Sequence, residues 1–194
     1  MKNDSDEKNI LEFIHVTERL KYELRHSWTS TGRQESVADH SWRLAMLLIL
    51  CTPYLKKEFD LLKALQLAII HDIGEAKIGD MHYLEVNSNE CVKNKRMKDE
   101  YKAVEELAKI LGEQGNYILA LWQEYETKST YESKIVNALD KLEVCIQHNE
   151  AAIATWTKEE LNSIEKYFID IEVPDNFINR LKAVIQLETS KKIN

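Results

Sequence analysis

The sequence predicts an all-α fold, and three features of its 194 residues carry that prediction. It holds only five glycines and two prolines, where average usage would supply roughly 12% of residues. Sandwiches, barrels and open sheets need turn residues every few positions, and this chain cannot supply them. Apolar residues make up 44% of the chain and charged residues 30%, enough for a core and too balanced for a disordered chain. The apolar positions recur at helical spacing. At roughly 150 residues per domain, the length suits a single domain over 1–194, built of about seven to nine helices. No repeat or low-complexity linker divides it.

The elements follow in order. Ile10, Phe13, Ile14, Thr17, Leu20 and Leu24 mark a first amphipathic helix over 6–24. The stretch 25–34, RHSWTSTGRQ, is polar, contains Gly32 and reads as a loop. Ser36, with Asp39 three residues on, has the form of a capping box and opens a second helix. Pro53 ends it. Asp60 is placed to cap a third, LLKALQLAIIHD, whose run 67–70 has no polar face and so predicts burial. Gly74 and Gly79 interrupt the chain, and 81–89 reads as a loop. A long helix is expected over 90–111 with Gly112 as its stop signal. A short one follows through Trp122, and another covers 131–154. The C-terminal helices fall at about 157–190, opened by Thr157 and by Pro174-Asp175, and end in a frayed polar tail.

Charge and cysteine usage narrow the function classes. Lys and Arg total 26 against 33 Asp and Glu, a net charge of −7, which disfavours a nucleic-acid polymer as partner. Cys51, Cys91 and Cys145 are widely spaced and odd in number, as in reduced cytosolic proteins. The polar start MKNDSDEKN does not resemble a signal peptide. The longest apolar run, eight residues at 44–51, is far short of the roughly 20 that a membrane span needs. A cytoplasmic protein with no membrane partner is expected.

Chemistry concentrates where polar residues interrupt apolar helical patterns, because burying them unpaired costs several kcal/mol. His40 begins the helix ending LAMLLILC, His71-Asp72 closes the run LAII, and Asp140 borders the stripe in KIVNALDKLEVCI. Two imidazoles and two carboxylates from three helices suit a divalent first-row metal. Adjacent residues do not share a helix face, so His71 and Asp72 reach one ion only if the helix ends or distorts there. The plainer alternative is that each is an ordinary capped or paired polar residue.

These residues resemble the H…HD…D signature of the HD phosphohydrolase superfamily, which is helical and metal-dependent. Segments 35–40 (ESVADH), 71–80 (HDIGEAKIGD), 121–126 (LWQEYE) and 139–143 (LDKLE) are similar to blocks of its 5′-deoxynucleotidase branch. Members of that branch hydrolyse deoxyribonucleoside 5′-monophosphates to deoxyribonucleosides and phosphate. The matching blocks lie within about 20–150, and the C-terminal helices carry no motif. The resemblance implies an HD domain with His40, His71, Asp72 and Asp140 as ligands of Mn²⁺, Co²⁺, Fe²⁺ or Mg²⁺. It implies general acid–base work by Glu75 and a sugar contact or second-ion role for Asp80. In some members the residues matching Glu75, Asp80 and the backbone carbonyl of Met81 hold that second ion.

Arg25 and Trp28 resemble an Arg-x-x-Trp that precedes the first metal histidine. The guanidinium suits bidentate phosphate contact, and the indole could pack on the sugar and reject a 2′-hydroxyl. Lys77 is a second phosphate candidate. The chain departs from its relatives at His26-Ser27 and at Met81-His82-Tyr83, where Ile-x-Pro is usual.

Other features read as structural. The run 74–79 has P-loop glycine spacing, but Asp80-Met81 stands where Lys-Ser/Thr belongs and no strand precedes it. His15, His26, His82 and His148 read as surface residues, Trp42, Trp122 and Trp156 as core, and the basic run 93–98 as a solvated face. The expected function is that of a metal-dependent 5′-deoxynucleotidase acting on a small nucleotide, a homodimer by resemblance. The alternatives are the same fold acting on a cyclic nucleotide, a nucleoside triphosphate or another phosphomonoester, or a non-catalytic helical metal-binding regulator. Open ligand positions and the extra carboxylates Glu75 and Asp80 oppose the last of these.

Overall fold

The computed structural model describes residues 5–194; the first four residues of the polar start lie outside them. Helix α1 (Asp6–Thr17) tightens into a 3₁₀ turn at Glu18–Lys21, so the first expected helix stops short of Leu24. The stretch expected to be a loop is a hairpin. Strand β1 (Leu24–Trp28) pairs antiparallel with β2 (Gln34–Ser36), Leu24 opposite Ser36 and Trp28 opposite Gln34 with a bulge between. Gly32 supplies the positive φ of the turn, and the Gln34 side chain donates to the Arg25 carbonyl. Strands this short carry too little alternation to be seen as a pattern.

Helix α2 (Val37–Cys51) starts at the expected capping box, with the Asp39 amide on Ser36 Oγ and the Ser36 amide on Asp39 Oδ2. Pro53 sits in a 3₁₀ turn just beyond it. Helix α3 (Leu61–Ile70) is capped by Asp60, as read from the sequence. Its apolar run is not wholly buried: Ala64, Leu67, Ala68 and Ile70 face inward, and Ile69 faces solvent. Two one-turn helices, α4 (Glu75–Ile78) and α5 (Tyr83–Val86), occupy the segment between glycines and the expected loop.

Helix α6 (Glu90–Ile110) ends where Gly112 adopts φ +59°. Helix α7 (Glu113–Thr127) runs a full turn past Trp122. Helix α8 (Tyr131–Glu150) ends before 154. Helices α9 (Lys158–Ile169) and α10 (Asn176–Ile193) are capped by Thr157 and Asp175, and α10 stays helical through most of the expected tail. Among the described residues, eight helices have ten or more residues. The all-α expectation holds apart from the hairpin.

The core explains the placement of the polar cluster. Helix α8 packs against α2, α3, α7 and α10. Its Ile135, Val136, Leu139 and Leu142 join Leu44, Leu48, Leu67 and Leu107 in one apolar cluster. Each such side chain contributes about 1.5–3 kcal/mol by leaving water. Three helices carrying His40, His71 and Asp140 are thereby held rigidly side by side.

Candidate active site

His40 lies one turn into α2 and has no solvent exposure; His71 caps α3; Asp140 projects from α8. Helix α3 ends at Ile70, and the chain tightens through turns in which the Ile73 amide bonds the Ile70 carbonyl and the Glu75 amide the Asp72 carbonyl. The helix end lets consecutive residues His71 and Asp72 face one point. His40 Nε2 is 3.0 Å from Asp140 Oδ1, and His71 Nε2 is 3.0 Å from Asp72 Oδ2 and 3.9 Å from Asp140 Oδ1.

The far side of each ring is tied down. His71 Nδ1 donates to the Ala68 carbonyl, 2.8 Å away, and His40 Nδ1 donates to the buried Glu143 carboxylate. In a neutral ring those bonds leave the lone pair on Nε2, the arrangement found in metal-ligating histidines. His71 Nε2 is fully buried and makes no hydrogen bond. Tyr125 donates to Asp140 Oδ2 at 2.7 Å, which fixes the carboxylate and leaves Oδ1 toward the histidines.

The electrostatics ask for a cation at this point. Burial and Arg25 push His40 down, yet Glu143 and Asp140 outweigh them and hold it up to about 10. His71 is raised against burial by Asp72 and Asp140. Asp72 falls to about 2 despite burial, through His71 and Arg25, and Asp140 sits below the ordinary carboxylate range through His40 and His71. A divalent ion would meet that demand with both imidazoles neutral. The donor atoms of His40, His71 and Asp140 lie within 4.8 Å of one another, with Asp72 beside them. The residues fit a metal.

Comparison with known proteins adds a second kind of evidence. Residues 17–173 match the family model described as HD domain. The chain belongs to the HD domain family. It is similar to the 5′-deoxynucleotidase HDDC2 of Dictyostelium discoideum, 30% identical over 95% of this chain and 99% of that one. It is also similar to the 5′-deoxynucleotidase hdd1 of Schizosaccharomyces pombe, 34% identical over 75% of this chain and 73% of that one. A solved structure from Magnetospirillum magnetotacticum, described as a predicted metal-dependent phosphohydrolase, superposes with TM-score 0.80 at 25% identity, covering 98% of this chain and 96% of that one.

In this HD domain two of the four ligand candidates, Asp72 and Asp140, line a cleft of about 750 Å³ whose wall also includes Arg25, Asp80 and Met81, and His40 and His71 lie buried behind them. Arg25 Nη1 is 3.1 Å from Asp72 Oδ2 and its Nε 3.5 Å from Glu35 Oε2. Glu75 is buried beside the cleft with Oε2 unpartnered, and burial, Asp72 and Asp80 raise its pKa well above the ordinary range. Asp80 is raised by burial and Asp72.

Two expected substrate residues lie elsewhere. Lys77 is not on the cleft wall and pairs with Glu106 at 3.4 Å. Trp28 is not on it either, and meets the His26 ring edge-on at 4.8 Å.

Several residues of the HD site carried no role in the sequence. Glu143 underlies His40, and Arg43 underlies Glu143 at 2.9 Å. Lys141 and Lys93 line the cleft. Arg96, in the run read as a solvated face, is buried; it donates to the Gly79 carbonyl at 2.8 Å and lies 3.6 Å from Glu75. The available signal was position: Glu143 and Lys141 sit within the LDKLE block.

Two of the remaining expectations change. Of the four histidines read as surface residues, His15 is exposed, whereas His26, His82 and His148 are part-buried around Glu160. Trp122 and Trp156 are core, but Trp42 is largely solvent-exposed. No helix among the described residues is long and apolar enough to cross a membrane.

Proposed function

We propose that this chain is a metal-dependent 5′-deoxynucleotidase that hydrolyses deoxyribonucleoside 5′-monophosphates to deoxyribonucleosides and phosphate. The observation that carries it is the convergence of His40 and His71 Nε2 atoms, each ring anchored through Nδ1, on Asp72 and Asp140 at one end of the cleft. A divalent ion held by these four residues (Mn²⁺, Co²⁺, Fe²⁺ or Mg²⁺) lowers the pKa of water and neutralises phosphate charge. The names of the two relatives above support the substrate class.

Arg25 is the phosphate cation: its guanidinium stays charged and already bonds a ligand carboxylate facing the cleft. Lys141 is placed to add a second positive charge. Glu75, holding its proton above the ordinary range, supplies it to the leaving 5′-oxygen or orients water. Asp80 faces the sugar, or with Glu75 and the Met81 carbonyl holds a second ion. Trp28 acts on the sugar pocket through His26 rather than by direct contact. Lys77, paired with Glu106, has no part in binding phosphate.

Three wider inferences complete the reading. The apolar cluster takes residues from Leu44 to Ile185, which supports one domain over 1–194. Trp42, Met46, Ile49 and Leu50 form an exposed apolar face on α2, which supports a homodimer. Three free cysteines support a reducing, cytoplasmic setting.

Phosphate release from ribo- and deoxyribonucleoside monophosphates, each with several divalent ions, tests the function. Release should require the ion and favour deoxyribonucleotides by roughly tenfold to two-hundredfold, the scale of selection by shape. Equal rates on AMP and dAMP would favour the general phosphomonoesterase alternative. No release with any ion would reject the proposal.

A further inference from the structure

A second cluster of donors occupies another part of the cleft wall. His26 comes from β1, His82 from the segment entering α5, His148 from the last turn of α8 and Glu160 from the first turn of α9. His82 Nε2 is 3.0 Å and His148 Nε2 3.2 Å from the same oxygen, Glu160 Oε1. His26 Nε2 lies 3.5 Å from Glu160 Oε2; it is fully buried and makes no hydrogen bond. Glu160 is itself buried, and its Oε2 accepts the Thr157 amide of the capping box at 2.7 Å.

Proton bookkeeping makes the cluster unusual. His148 Nδ1 is 3.0 Å from the Val144 carbonyl, which only accepts, so Nδ1 carries hydrogen. In the neutral ring Nε2 then presents a lone pair to a carboxylate oxygen that also only accepts. Either a proton on His148 Nε2 or a metal ion joins the two. A proton there still leaves the buried His26 Nε2 without a hydrogen-bond partner, beside a His82 ring whose centroid is 4.5 Å from that of His26. The donor atoms of His26, His82 and Glu160 lie within 4.8 Å of one another, close enough for one divalent ion to engage all three, with His148 Nε2 beside the same carboxylate.

We propose that His26, His82, His148 and Glu160 form a second metal site, separate from the His40–His71–Asp72–Asp140 centre and from the second-ion position at Glu75, Asp80 and Met81. Three imidazoles and one carboxylate suit a four-coordinate borderline ion, Zn²⁺ above Mg²⁺ or Ca²⁺. His148 repeats the geometry of His71 in the first centre: Nδ1 anchored on a carbonyl, Nε2 turned to a carboxylate. His26, His82 and His148 line the cleft, which gives the ion a route from solution. Bound there, it fastens α9 and the 82 segment to β1 and α8. That gives the C-terminal part of the chain a task in building the substrate wall.

Metal counting on the whole chain tests this. Protein stripped by chelator, reloaded with excess Zn²⁺ and desalted is analysed for Zn²⁺ per chain. The wild type is compared with His26→Asn/His82→Asn and with Asp72→Asn/Asp140→Asn, each verified as folded by circular dichroism. The wild type should hold one ion more than His26→Asn/His82→Asn. Asp72→Asn/Asp140→Asn should keep one ion, and loaded with Co²⁺ should show the intense visible absorption of a four-coordinate site. Equal Zn²⁺ content in the wild type and His26→Asn/His82→Asn, including none in either, overturns the proposal. That comparison decides the matter even if Asp72→Asn/Asp140→Asn fails to fold, and it requires no phosphate release by the enzyme.

Discussion

Replacing Asp140 or His71 with alanine takes one donor from a centre where every other donor is already committed. Bound ion and phosphate release should therefore be lost together, read by elemental analysis beside the activity assay. Activity in a metal-free variant would contradict the mechanism. Glu75 differs because it touches Arg96 rather than the ligand set. Glu75→Ala should retain the ion at the four-ligand centre and bind deoxynucleotide, while turnover falls by roughly a hundredfold or more. If Glu75 also holds a second ion, high metal concentration should restore part of the loss. Arg25→Ala should weaken ribo- and deoxyribonucleotides alike, since both present the same phosphate.

The elements rest on caps and close approaches that can be tested away from the cleft. Asp175 accepts the Phe177 amide at 2.7 Å, the Lys56 amide at 3.3 Å and the Tyr131 hydroxyl at 3.2 Å. Asp175→Ala should cost about 1–2 kcal/mol in urea unfolding at neutral pH, with activity per folded molecule unchanged. Although burial opposes it, these bonds lower the Asp175 pKa below its ordinary 3.8. The ionic contribution is therefore complete above that value and lost as pH falls through the lowered one. The gap between wild type and Asp175→Ala should shrink in acid.

Gly115 reverses the usual helix rule. Glycine inside a helix costs about 1 kcal/mol relative to alanine, but a Cβ here would lie 1.9 Å from the Ala108 carbonyl oxygen of α6. Overpacking wins, and Gly115→Ala should destabilise by about 1–3 kcal/mol or more. A stabilised variant would mean that α6 and α7 separate easily.

At the scale of the molecule, α8 is the axis on which the site depends, and the outer face of α2 is unpartnered. Trp42 is 63% exposed and Leu50 59%, although the sequence pattern places Trp42 in the core. Sedimentation should find a dimer in the wild type and a monomer in Trp42→Glu, because a carboxylate buried in an apolar interface goes unpaired. A wild-type monomer would leave that face without a partner copy. Of the C-terminal helices, which carry no recognisable motif, α9 belongs to the cleft: Glu160 backs its histidines, and Ser163, Lys166 and Tyr167 line it.

What was legible in the sequence was local. Ser36 with Asp39, Asp60, Thr157 and Asp175 announce helix starts because each cap joins residues two or three apart. The ligand candidates were legible too, since His71-Asp72 closing an apolar run makes sense only at a helix end. Only the tertiary structure decided what lies behind and beside them. Glu143 reaches His40 across 103 residues and His82 reaches Glu160 across 78. Arg96 turns inward and Trp42 outward against their local patterns. Caps and periodicity arise from neighbours along the chain, whereas these contacts depend on which helix faces meet once the apolar core has closed.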